Sequence, residues 1–296
     1  MNAAWSGPRR VLVLGGKTGL LGMRLAEALR DAGWEAVAQG RDDVDVTDAA
    51  ALKAYLEATQ PHTICNTIAY TQVDKAEDEP DAAMALNRNL PVTLGRFAKC
   101  LGMGLVHFST DFVFDGKAHA PYETDAATNP MSVYGRTKLA GETGLLALGL
   151  DDLCIIRTAW LFGPGKKNFV RTILTLAAQR DALGVVHDQV GSPTFTVDLA
   201  RYSVELMQCG AKGLFHIVNG GRASWCELAA EAVHLAGLHC TVNAIGSADY
   251  PQKAVRPAFS ALCTRRFTEA TGITPRPWAQ ALRDYVYQEF PPAGDD

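Results

Sequence analysis

The sequence contains no long apolar run, no basic surplus and no paired cysteines. Nowhere do about 18 apolar residues follow one another, so the sequence predicts no helix that spans a membrane. The formal charge of -4 and the pI of about 6.0 leave no excess of cations to track a phosphate backbone. We therefore expect neither a membrane nor a nucleic acid as a partner.

The seven cysteines are an odd number, are widely spread and form no C-x-x-C pair. They do not cluster with histidines, and no spacing of His, Asp or Glu is typical of a catalytic zinc site. We expect free thiols in a reducing compartment and no metal site of this kind. The opening segment "MNAAWSGPRR" also lacks the apolar run of a signal peptide. The resulting prediction is a cytoplasmic protein.

Apolar runs that end in glycine alternate with segments of helical periodicity along the first part of the chain. The run "RRVLVLGG" at 9–16 predicts a strand buried on both faces, and the amphipathic segment after it ends at Gly33. Further strands are predicted at 35–39, 62–69, 104–109 and 152–163, and helices at about 48–59, 81–101 and 168–180. This alternation predicts an α/β fold of the Rossmann type, with a doubly wound parallel sheet.

The rhythm becomes irregular beyond residue 180, where short segments are separated by glycine, proline and serine. We expect a smaller C-terminal lobe that is interleaved with the first unit rather than joined to it by a linker. The expected division is mainly 9–165 for a Rossmann domain and mainly 166–290 for the lobe. The sequence has no internal repeat, and the terminal "PPAGDD" is predicted to be a disordered tail.

Three glycines follow the first predicted strand at the mouth of the first helix. Gly16, Gly19 and Gly22 form G-x-x-G-x-x-G. Glycine lets the backbone turn tightly and approach a pyrophosphate, while the amides and the dipole of the helix favour its negative charge. The alternative is an ordinary glycine-rich turn, but the position between strand and helix favours a dinucleotide site.

The segment after the second predicted strand lacks the acidic residue that usually binds the ribose hydroxyls of NAD. The sequence there is "AQGRDD", in which Arg41 is a candidate for the 2′-phosphate of NADP(H). The alternative, of equal weight, is that Arg41 is a solvated loop residue. The choice between NADH and NADPH therefore stays open on sequence alone.

Tyr134 and Lys138 lie four residues apart in "SVYGRTKLAGET" at 132–143, so a helix places both on one face. A tyrosine hydroxyl has a pKa of about 10, and a neighbouring ammonium makes it a better acid because it stabilises the phenolate. The pair alone is weak support, because on most amphipathic helices such a pair belongs to the solvated face.

The end of the fourth predicted strand supplies the context that this pair needs. The segment "HFSTDFVFDG" at 107–116 places Ser109 and Thr110 at the carboxyl edge of the sheet, where ligands bind in open parallel sheets. A hydroxyl there can donate a hydrogen bond to a carbonyl oxygen as hydride attack makes that oxygen negative. The alternative is that both residues cap the turn after the strand. The glycine turn, this hydroxyl and Y-x-x-x-K, in this order, favour a reductase active site over coincidence.

Nearly the whole chain resembles the extended short-chain dehydrogenase/reductase family and, within it, the dTDP-4-dehydrorhamnose reductases. The most specific matches are "AYTQVDKAE" at 69–77 and "VVHDQVGSPT" at 185–194, and the others are "GKTGLLG", "STDFVFDG", "YGRTKLAGE", "IRTAWLFG" and "RPAFSAL". The resemblance implies that NADPH or NADH reduces the 4-keto group of dTDP-4-dehydro-L-rhamnose to give dTDP-L-rhamnose, in nucleotide-sugar biosynthesis. It leaves open another sugar-nucleotide epimerase or dehydratase, and a non-catalytic regulatory subunit like the β subunit of methionine adenosyltransferase.

The resemblance also implies roles for individual residues. It makes Tyr134 the proton donor, Lys138 its tuning cation and ribose contact, and Thr110 the third member of the triad. The residues implied at the cofactor are Gly16, Lys17, Thr18, Gly19, Leu20, Leu21, Gly22, Arg41, Asp45, Val46, Ala69, Tyr70, Thr71, Tyr134 and Lys138. Those implied at the substrate are Val73, Thr110, Asp111, Trp160 and Arg256, with a core aromatic as the alternative for Trp160.

The chain departs from the family pattern at two further points. Asn66 is followed by Thr-Ile-Ala where members often have three alanines, and Phe112 stands where many have tyrosine. The first is expected to change packing more than chemistry, and the second removes a hydroxyl near the sugar. His107, His187 and His216 are expected to be structural, because the tyrosine already supplies the acid. Magnesium, with no ligands identified, and a homodimer both stay open.

Overall fold

The computed structural model describes residues 9–290 and is built around a six-stranded parallel sheet. The strands of the described residues, six of which form this sheet, are β1 (Arg10–Leu14), β2 (Glu35–Ala38), β3 (Thr63–Asn66), β4 (Gly104–Thr110), β5 (Leu153–Thr158), β6 (Leu161–Phe162), β7 (Ala182–Val186), β8 (Val190–Gly191), β9 (Thr194–Phe195), β10 (Gly213–His216), β11 (Ala223–Ser224) and β12 (Thr241–Ile245). The sheet has the order β2, β1, β3, β4, β5, β10, with every neighbouring pair parallel. The strand order reverses between β1 and β3, which is where doubly wound sheets open a crevice for ligands.

Helices cover both faces of this sheet. They are α1 (Leu20–Asp31), α2 (Ala49–Thr59), α3 (Val73–Ala76), α4 (Pro80–Met84), α5 (Leu90–Leu101), α6 (Val133–Ala147), α7 (Phe169–Ala177), α8 (Thr196–Gln208), α9 (Trp225–Leu235), α10 (Arg265–Thr271) and α11 (Trp278–Glu289). A π-helical segment, Ala85–Asn89, joins α4 to α5, and short 3₁₀ turns lie at Asp111–Val113 and Ser247–Asp249.

Successive residues of β1 contribute to two different cores. Val11 and Val13 pack in a layer with α1 and α8, whereas Leu12 and Leu14 pack in the opposite layer with α2, α5 and α6. All four side chains are fully buried. Burial of alternate residues on both faces is what a continuous apolar run requires, so the predicted Rossmann-type parallel sheet is confirmed.

A second core lies in the C-terminal part of the chain. The strand pairs β6–β9 and β7–β12 form it together with α7, α9 and α11, around buried residues that include Phe162 and Tyr285, while β8 and β11 form a further short pair. The chain returns to the main sheet between these elements, because β10 adds the sixth strand beside β5 and α8 packs on α1. Elements from beyond residue 180 therefore contribute both to the main sheet and to this second core.

Two predicted elements differ from the structure. The single helix expected over 81–101 is divided into α4, the π-helical segment and α5, because Ala85–Asn89 winds more widely. The single strand expected over 152–163 is divided into β5 and β6, which belong to different sheets, because Trp160 has a left-handed backbone that turns the chain. Between residues 180 and 290 the expected irregular segments include four α-helices, α8, α9, α10 and α11.

Other sequence expectations meet the structure only in part. The "PPAGDD" tail lies outside the described residues. Between residues 9 and 290, no helix is long and apolar enough to cross a bilayer. All seven cysteines fall within the described part and are free.

Candidate active site

The carboxyl ends of β1 to β5 all lie at one edge of the sheet, because these strands run parallel. The candidate residues follow those ends in turn: the glycine turn comes after β1, Arg41 after β2, Ala69 to Thr71 after β3, Thr110 at the end of β4 and Trp160 after β5. Parallel topology thus brings to one edge residues that are up to about 140 positions apart in sequence, for example 16 and 160.

The glycine turn has no room for side chains. A Cβ on Gly22 would lie 2.4 Å from the carbonyl oxygen of Gly15, and one on Gly19 would lie 2.7 Å from the same oxygen. Gly15 itself has a φ of +80°, and its N–H group donates a hydrogen bond to the side-chain oxygen of Gln39. Sequence reasoning named Gly16, Gly19 and Gly22 but missed Gly15, whose conformation only the folded turn reveals.

Helix α1 begins at this turn without a side-chain cap and without an acidic residue in its first turn. Its first backbone N–H groups are therefore available to an anion, and the helix dipole favours one there. Thr18 and Leu20 are at least partly exposed, while Leu21 anchors the helix in the core. The hydroxyl of Thr67 donates to the carbonyl of Leu14 at 2.7 Å and fills the space next to the turn. The departure from alanine at this position is a packing feature.

The end of β2 presents one paired and one free cation. Lys17 forms an ion pair with Asp43, whose N–O distance is 2.6 Å, and Asp43 also accepts the N–H group of Gly40. The pKa of Asp43 is lowered by the hydrogen bond from Lys17 and by the one from Gly40. Arg41 is exposed, and its guanidinium has no hydrogen-bond or ion-pair partner within residues 9–290. This free guanidinium is suited to bind an anionic group of a ligand.

The next cofactor candidates line the edge beyond β2 and β3. Asp45 is exposed and accepts hydrogen bonds from Thr47, which lower its pKa, and Val46 is partly buried against the core. The backbone of Tyr70 exchanges two hydrogen bonds with the side chain of Asn87, at 2.9 and 3.2 Å. Ala69 is partly exposed and Thr71 is exposed.

Asn87 was missed by sequence reasoning, although it ties two parts of the site together. It is fully buried in the π-helical segment, and it donates to the hydroxyl of Thr137 on α6 at 3.0 Å. The carbonyl of Asn87 would lie 2.2 Å from a Cβ on Gly141, so that glycine lets α6 approach closely. A π-helical turn often marks a functional position, and this was a signal that only the structure shows.

Tyr134 and Thr110 meet where α6 passes the end of β4. Burial raises the pKa of Tyr134 to about 12, a hydrogen bond with Thr110 opposes this rise, and the carboxylate of Asp111 adds to it. The hydroxyl of Thr110 accepts the N–H group of Phe112 and donates to Asp111 at 3.1 Å. Thr110 therefore caps the turn after β4 and also lies beside Tyr134.

Lys138 lies one turn after Tyr134 and is almost completely buried. Its Nζ donates to the carbonyl of Phe108 at 2.6 Å and lies 3.5 Å from Nε2 of His107. Burial lowers the pKa of Lys138 to about 8, while the carboxylate of Glu142 on the next turn opposes that shift. The ammonium is thus poised to titrate close to neutral pH, where small changes in its surroundings alter its charge.

His107 is enclosed beneath this lysine. The amide oxygen of Asn66 accepts the N–H group of Ile68, so the amide NH₂ of Asn66 donates to Nδ1 of His107. Nε2 therefore carries the proton of the neutral ring. Burial and the neighbouring Lys138 hold the pKa of His107 well below its usual range. His107 is a buried neutral neighbour of the lysine and has no access to solvent.

Two further residues set the position of α6. Glu77, in the "VDKAE" segment, accepts the N–H group of Val133 at 2.8 Å, next to Tyr134 in the chain. Ser132 caps the same helix by accepting the N–H group of Gly135. A Cβ on Gly135 would lie 2.2 Å from the carbonyl of Phe112, so glycine allows the helix to lie against the turn after β4. Glu77 and Gly135 thus place the tyrosine beside Thr110.

Among the residues implied at the substrate, Asp111 lies beside the pair of Thr110 and Tyr134. Asp111 is buried, accepts the hydroxyl of Ser260 at 2.6 Å, and has a pKa that burial raises to about 6. The ring of Phe112 packs edge-on against Tyr134, with 5.4 Å between ring centroids. Phe112 therefore touches the candidate acid directly, while the hydroxyl of the more common tyrosine is missing there.

Val73 and Arg256 lie at the start of α3 and in the facing loop of the lobe. Val73 is partly buried. Both guanidinium nitrogens of Arg256 donate to the carboxylate of Asp74, at 2.9 and 2.7 Å, and lower the pKa of Asp74 to about 2. Arg256 thus joins the lobe to the "VDKAE" segment through Asp74.

The remaining polar candidates have no direct place in this arrangement. The hydroxyl of Ser109 is buried without a partner among the described residues. His216 is buried, and its pKa is lowered to about 3 by burial first and by Arg157 second. His187 is exposed. Within 9–290, no group of three or more His, Cys, Asp or Glu side chains is arranged to hold a metal ion.

The sequence of the chain was compared with known families and its fold with solved structures. The model of the family described as "RmlD substrate binding domain" matches residues 9–290. The chain belongs to this family. A dTDP-4-dehydrorhamnose reductase of Streptomyces griseus is 38% identical, over 94% of this chain and 93% of the relative. A dTDP-4-keto-6-deoxy-D-glucose reductase of Streptomyces niveus is 39% identical, over 93% of this chain and 95% of the relative.

A solved structure supports the same membership. The dTDP-4-dehydrorhamnose reductase of Bacillus anthracis in complex with NADP has a TM-score of 0.91 and 29% identity, over 95% of this chain and 100% of that chain. The resemblance inferred from the sequence motifs is therefore confirmed, and the chain is an oxidoreductase of a nicotinamide-dependent family.

Proposed function

We propose that this protein uses NADPH or NADH to reduce the 4-keto group of dTDP-4-dehydro-L-rhamnose, which gives dTDP-L-rhamnose. The observation that carries the proposal is the pairing of Thr110 with Tyr134 at the carboxyl edge of the sheet, where the glycine turn also lies, with the buried Lys138 one helical turn further along α6. Family membership supports the substrate class.

The cofactor supplies a hydride to the carbonyl carbon of the sugar when it is bound. Tyr134 then transfers its hydroxyl proton to the carbonyl oxygen, so that the C=O bond becomes C–O–H and a phenolate stays on the enzyme. The ammonium of Lys138 lowers the energy of that phenolate by charge attraction. Thr110 polarises the carbonyl when its hydroxyl turns from Asp111 towards the substrate.

The glycine turn and the start of α1 fit the pyrophosphate of a dinucleotide. The fit rests on the tight turn that Gly15, Gly19 and Gly22 allow, where a Cβ would clash with neighbouring protein atoms, and on the uncapped N-terminus of α1. Asp45 and Val46 would border the adenine, and residues 69–71 would run along the cofactor. Lys138 would also contact the ribose.

The free Arg41 favours NADPH as the cofactor. An exposed guanidinium at the end of β2 can form charge-assisted hydrogen bonds with a 2′-phosphate. The related reductase from Bacillus anthracis was solved with NADP, which agrees with this assignment.

The substrate is proposed to lie between the sheet edge and the smaller lobe, which consists mainly of residues 166–290. Val73, Asp111 and Trp160 would border the sugar, and Arg256 the nucleotide. We also propose a cytoplasmic location, which the seven free cysteines support. We further propose that the protein is a homodimer, which sedimentation velocity would test.

Substitution of Tyr134 by Phe tests the mechanism. We expect Tyr134→Phe to abolish oxidation of NADPH and NADH by the dTDP-4-keto sugar, while the dissociation constant of the cofactor is retained because the ring stays in place. Tyr287→Phe, on the exposed side of α11, is the matched control and should retain full turnover. Turnover by Tyr134→Phe at the wild-type rate would contradict the role of Tyr134 as proton donor.

The same assay separates the rival functions. The assay should include dTDP-4-keto-6-deoxy-D-glucose as a second substrate, because the Streptomyces niveus relative is named for that sugar and Phe112 lies against Tyr134. An epimerase or dehydratase would be recognised by stoichiometric NAD that stays bound through purification and needs no added NADPH.

A further inference from the structure

Trp160 has an unusual backbone conformation for a large side chain. Its φ is +48°, and Gln60 is the only other non-glycine residue between 9 and 290 with a positive φ. L-residues with bulky side chains rarely adopt this left-handed region, and such strain persists only where the surrounding structure imposes it. The contacts around Trp160 must therefore hold it there.

Trp225 and Gly191 are the contacts that hold the indole of Trp160. The two indoles stack face to face, with 3.4 Å between ring centroids and an interplanar angle of 3°. A Cβ on Gly191 would lie 2.5 Å from Cε2 of Trp160, so only glycine fits next to the ring. The N–H group of Thr194 donates to the carbonyl of Trp160 at 3.1 Å and fixes its backbone.

The two holding residues are themselves joined to each other. β8 pairs with β11, which brings Gly191 opposite Ala223, two residues before Trp225. Ser224 and Glu227 form a capping box at the start of α9, so the backbone of Trp225 is fixed. The ring of Phe169 packs against Trp225, with 4.5 Å between centroids. The "DQVGSPT" segment thus supplies a glycine for an aromatic stack.

The stack lies close to the reacting end of the sheet. Trp160 follows Thr158 by two residues, and Thr158 pairs directly with Thr110 of the triad. Trp160 packs both on the buried cluster around Val113, just after the turn that begins at Asp111, and on the core of the smaller lobe. It stands at the junction between the sheet unit and the lobe, where the sugar is proposed to bind.

We propose that Trp225 and Gly191 are positioning residues which hold the indole of Trp160 between them, so that its edge forms a fixed wall of the sugar site. The carbon atoms of such an edge contact the methyl group of a 6-deoxy-4-keto sugar better than a hydroxyl at carbon 6, which would lose hydrogen bonds to water there. This inference rests on the proposed function, since it assumes that a keto sugar meets Trp160.

A matched pair of substitutions tests the role of Trp225. Trp225→Leu keeps an apolar side chain but loses the plane, and we expect it to raise the KM for the dTDP-4-keto sugar about ten-fold, the order of an aromatic-pair contribution. The KM for NADPH should not change. Trp225→Phe restores a plane and should restore most of the sugar KM. Trp34→Phe, at the amino end of β2 on the opposite edge of the sheet, is the control.

Gly191→Ala tests the wall from its other side while Trp225 is intact. The added methyl group should displace the indole of Trp160 and raise the sugar KM in the same way, and the double variant with Trp225→Leu should be less than additive because both act through Trp160. An independent readout is the Nε1–H signal of Trp160 in ¹H–¹⁵N NMR spectra, which should move in both variants because the ring stacked on it is lost or displaced.

The outcomes are separable. An unmoved Trp160 signal in both folded variants, or an unchanged sugar KM in an active enzyme, would overturn the positioning role. A wild type that turns over no dTDP-4-keto sugar would overturn the proposed function, while the NMR signal still decides whether Trp225 and Gly191 hold the indole. If Trp225→Leu does not fold, Gly191→Ala decides the question through the sugar KM and the Trp160 signal.

Discussion

The buried charge of Lys138 lowers the stability of the folded protein. Burial lowers its pKa from 10.5 to about 8, so the folded protein binds this proton less tightly than the unfolded chain does. At pH values below about 8 the buried ammonium therefore reduces the free energy of unfolding by about 3 kcal/mol. The reduction disappears as pH rises from about 8 to about 10.5, because there the unfolded chain binds more protons than the folded one. The protein should gain stability from this group across that window.

Lys138→Met removes the titration and keeps an unbranched side chain. In urea unfolding without cofactor, the free energy of unfolding of the wild type should rise relative to that of Lys138→Met by about 2 kcal/mol between pH 7 and pH 9.5. The lost hydrogen bond to the carbonyl of Phe108 lowers the stability of the variant at both pH values, so it cancels in this comparison. Lys99→Met, whose ammonium is exposed, is the control and should follow the wild type.

Turnover should show the opposite dependence on pH. In the proposed mechanism the ammonium of Lys138 assists Tyr134, and it is lost as pH rises through about 8, so kcat of the wild type should fall on that side. A stability difference between wild type and Lys138→Met that does not change with pH would refute the account of a buried, depressed lysine.

Two further predictions concern the charges around the site. Glu142→Gln should reduce the free energy of unfolding by roughly 3–5 kcal/mol, because it leaves the guanidinium of Arg157 without a charged partner, and both side chains are at most 4% exposed. The control is Glu57→Gln, which removes an exposed ion pair. A loss of stability as small as that of the control would contradict the prediction. Arg41→Ala should raise the KM for NADPH by roughly ten- to a hundred-fold and leave that for NADH unchanged, because a charge-assisted contact is lost. An equal effect on both cofactors would show that Arg41 does not bind the 2′-phosphate.

Much of the site could be predicted because its signals are local. Gly16, Gly19 and Gly22 follow a buried strand at the start of a helix, and Tyr134 and Lys138 are one helical turn apart, so periodicity alone puts them on a common face. Parallel strands then bring the ends of β1 and β4 to one edge. These relations need only the chain direction and the repeat of each element.

Other members of the site were missed because their function depends on contacts across the chain. Glu77 caps α6 at a position 56 residues away, and Asn87 joins the loop after β3 to α6. No sequence window contains both partners of such a contact. The left-handed Trp160 was predicted as part of a continuous strand for the same reason, since the strain there is imposed by Trp225 and Gly191.

The sequence by itself determined the parallel sheet, the glycine turn, the tyrosine–lysine pair and the family, because each is written in residues that are neighbours in the chain. Only the tertiary structure decided that Lys138 is buried with a pKa of about 8, that Arg41 is free while Arg256 is paired with Asp74, and that two tryptophans form one stack. Burial and pairing are properties of the environment around a side chain, and that environment exists only once segments that are distant in sequence have packed together.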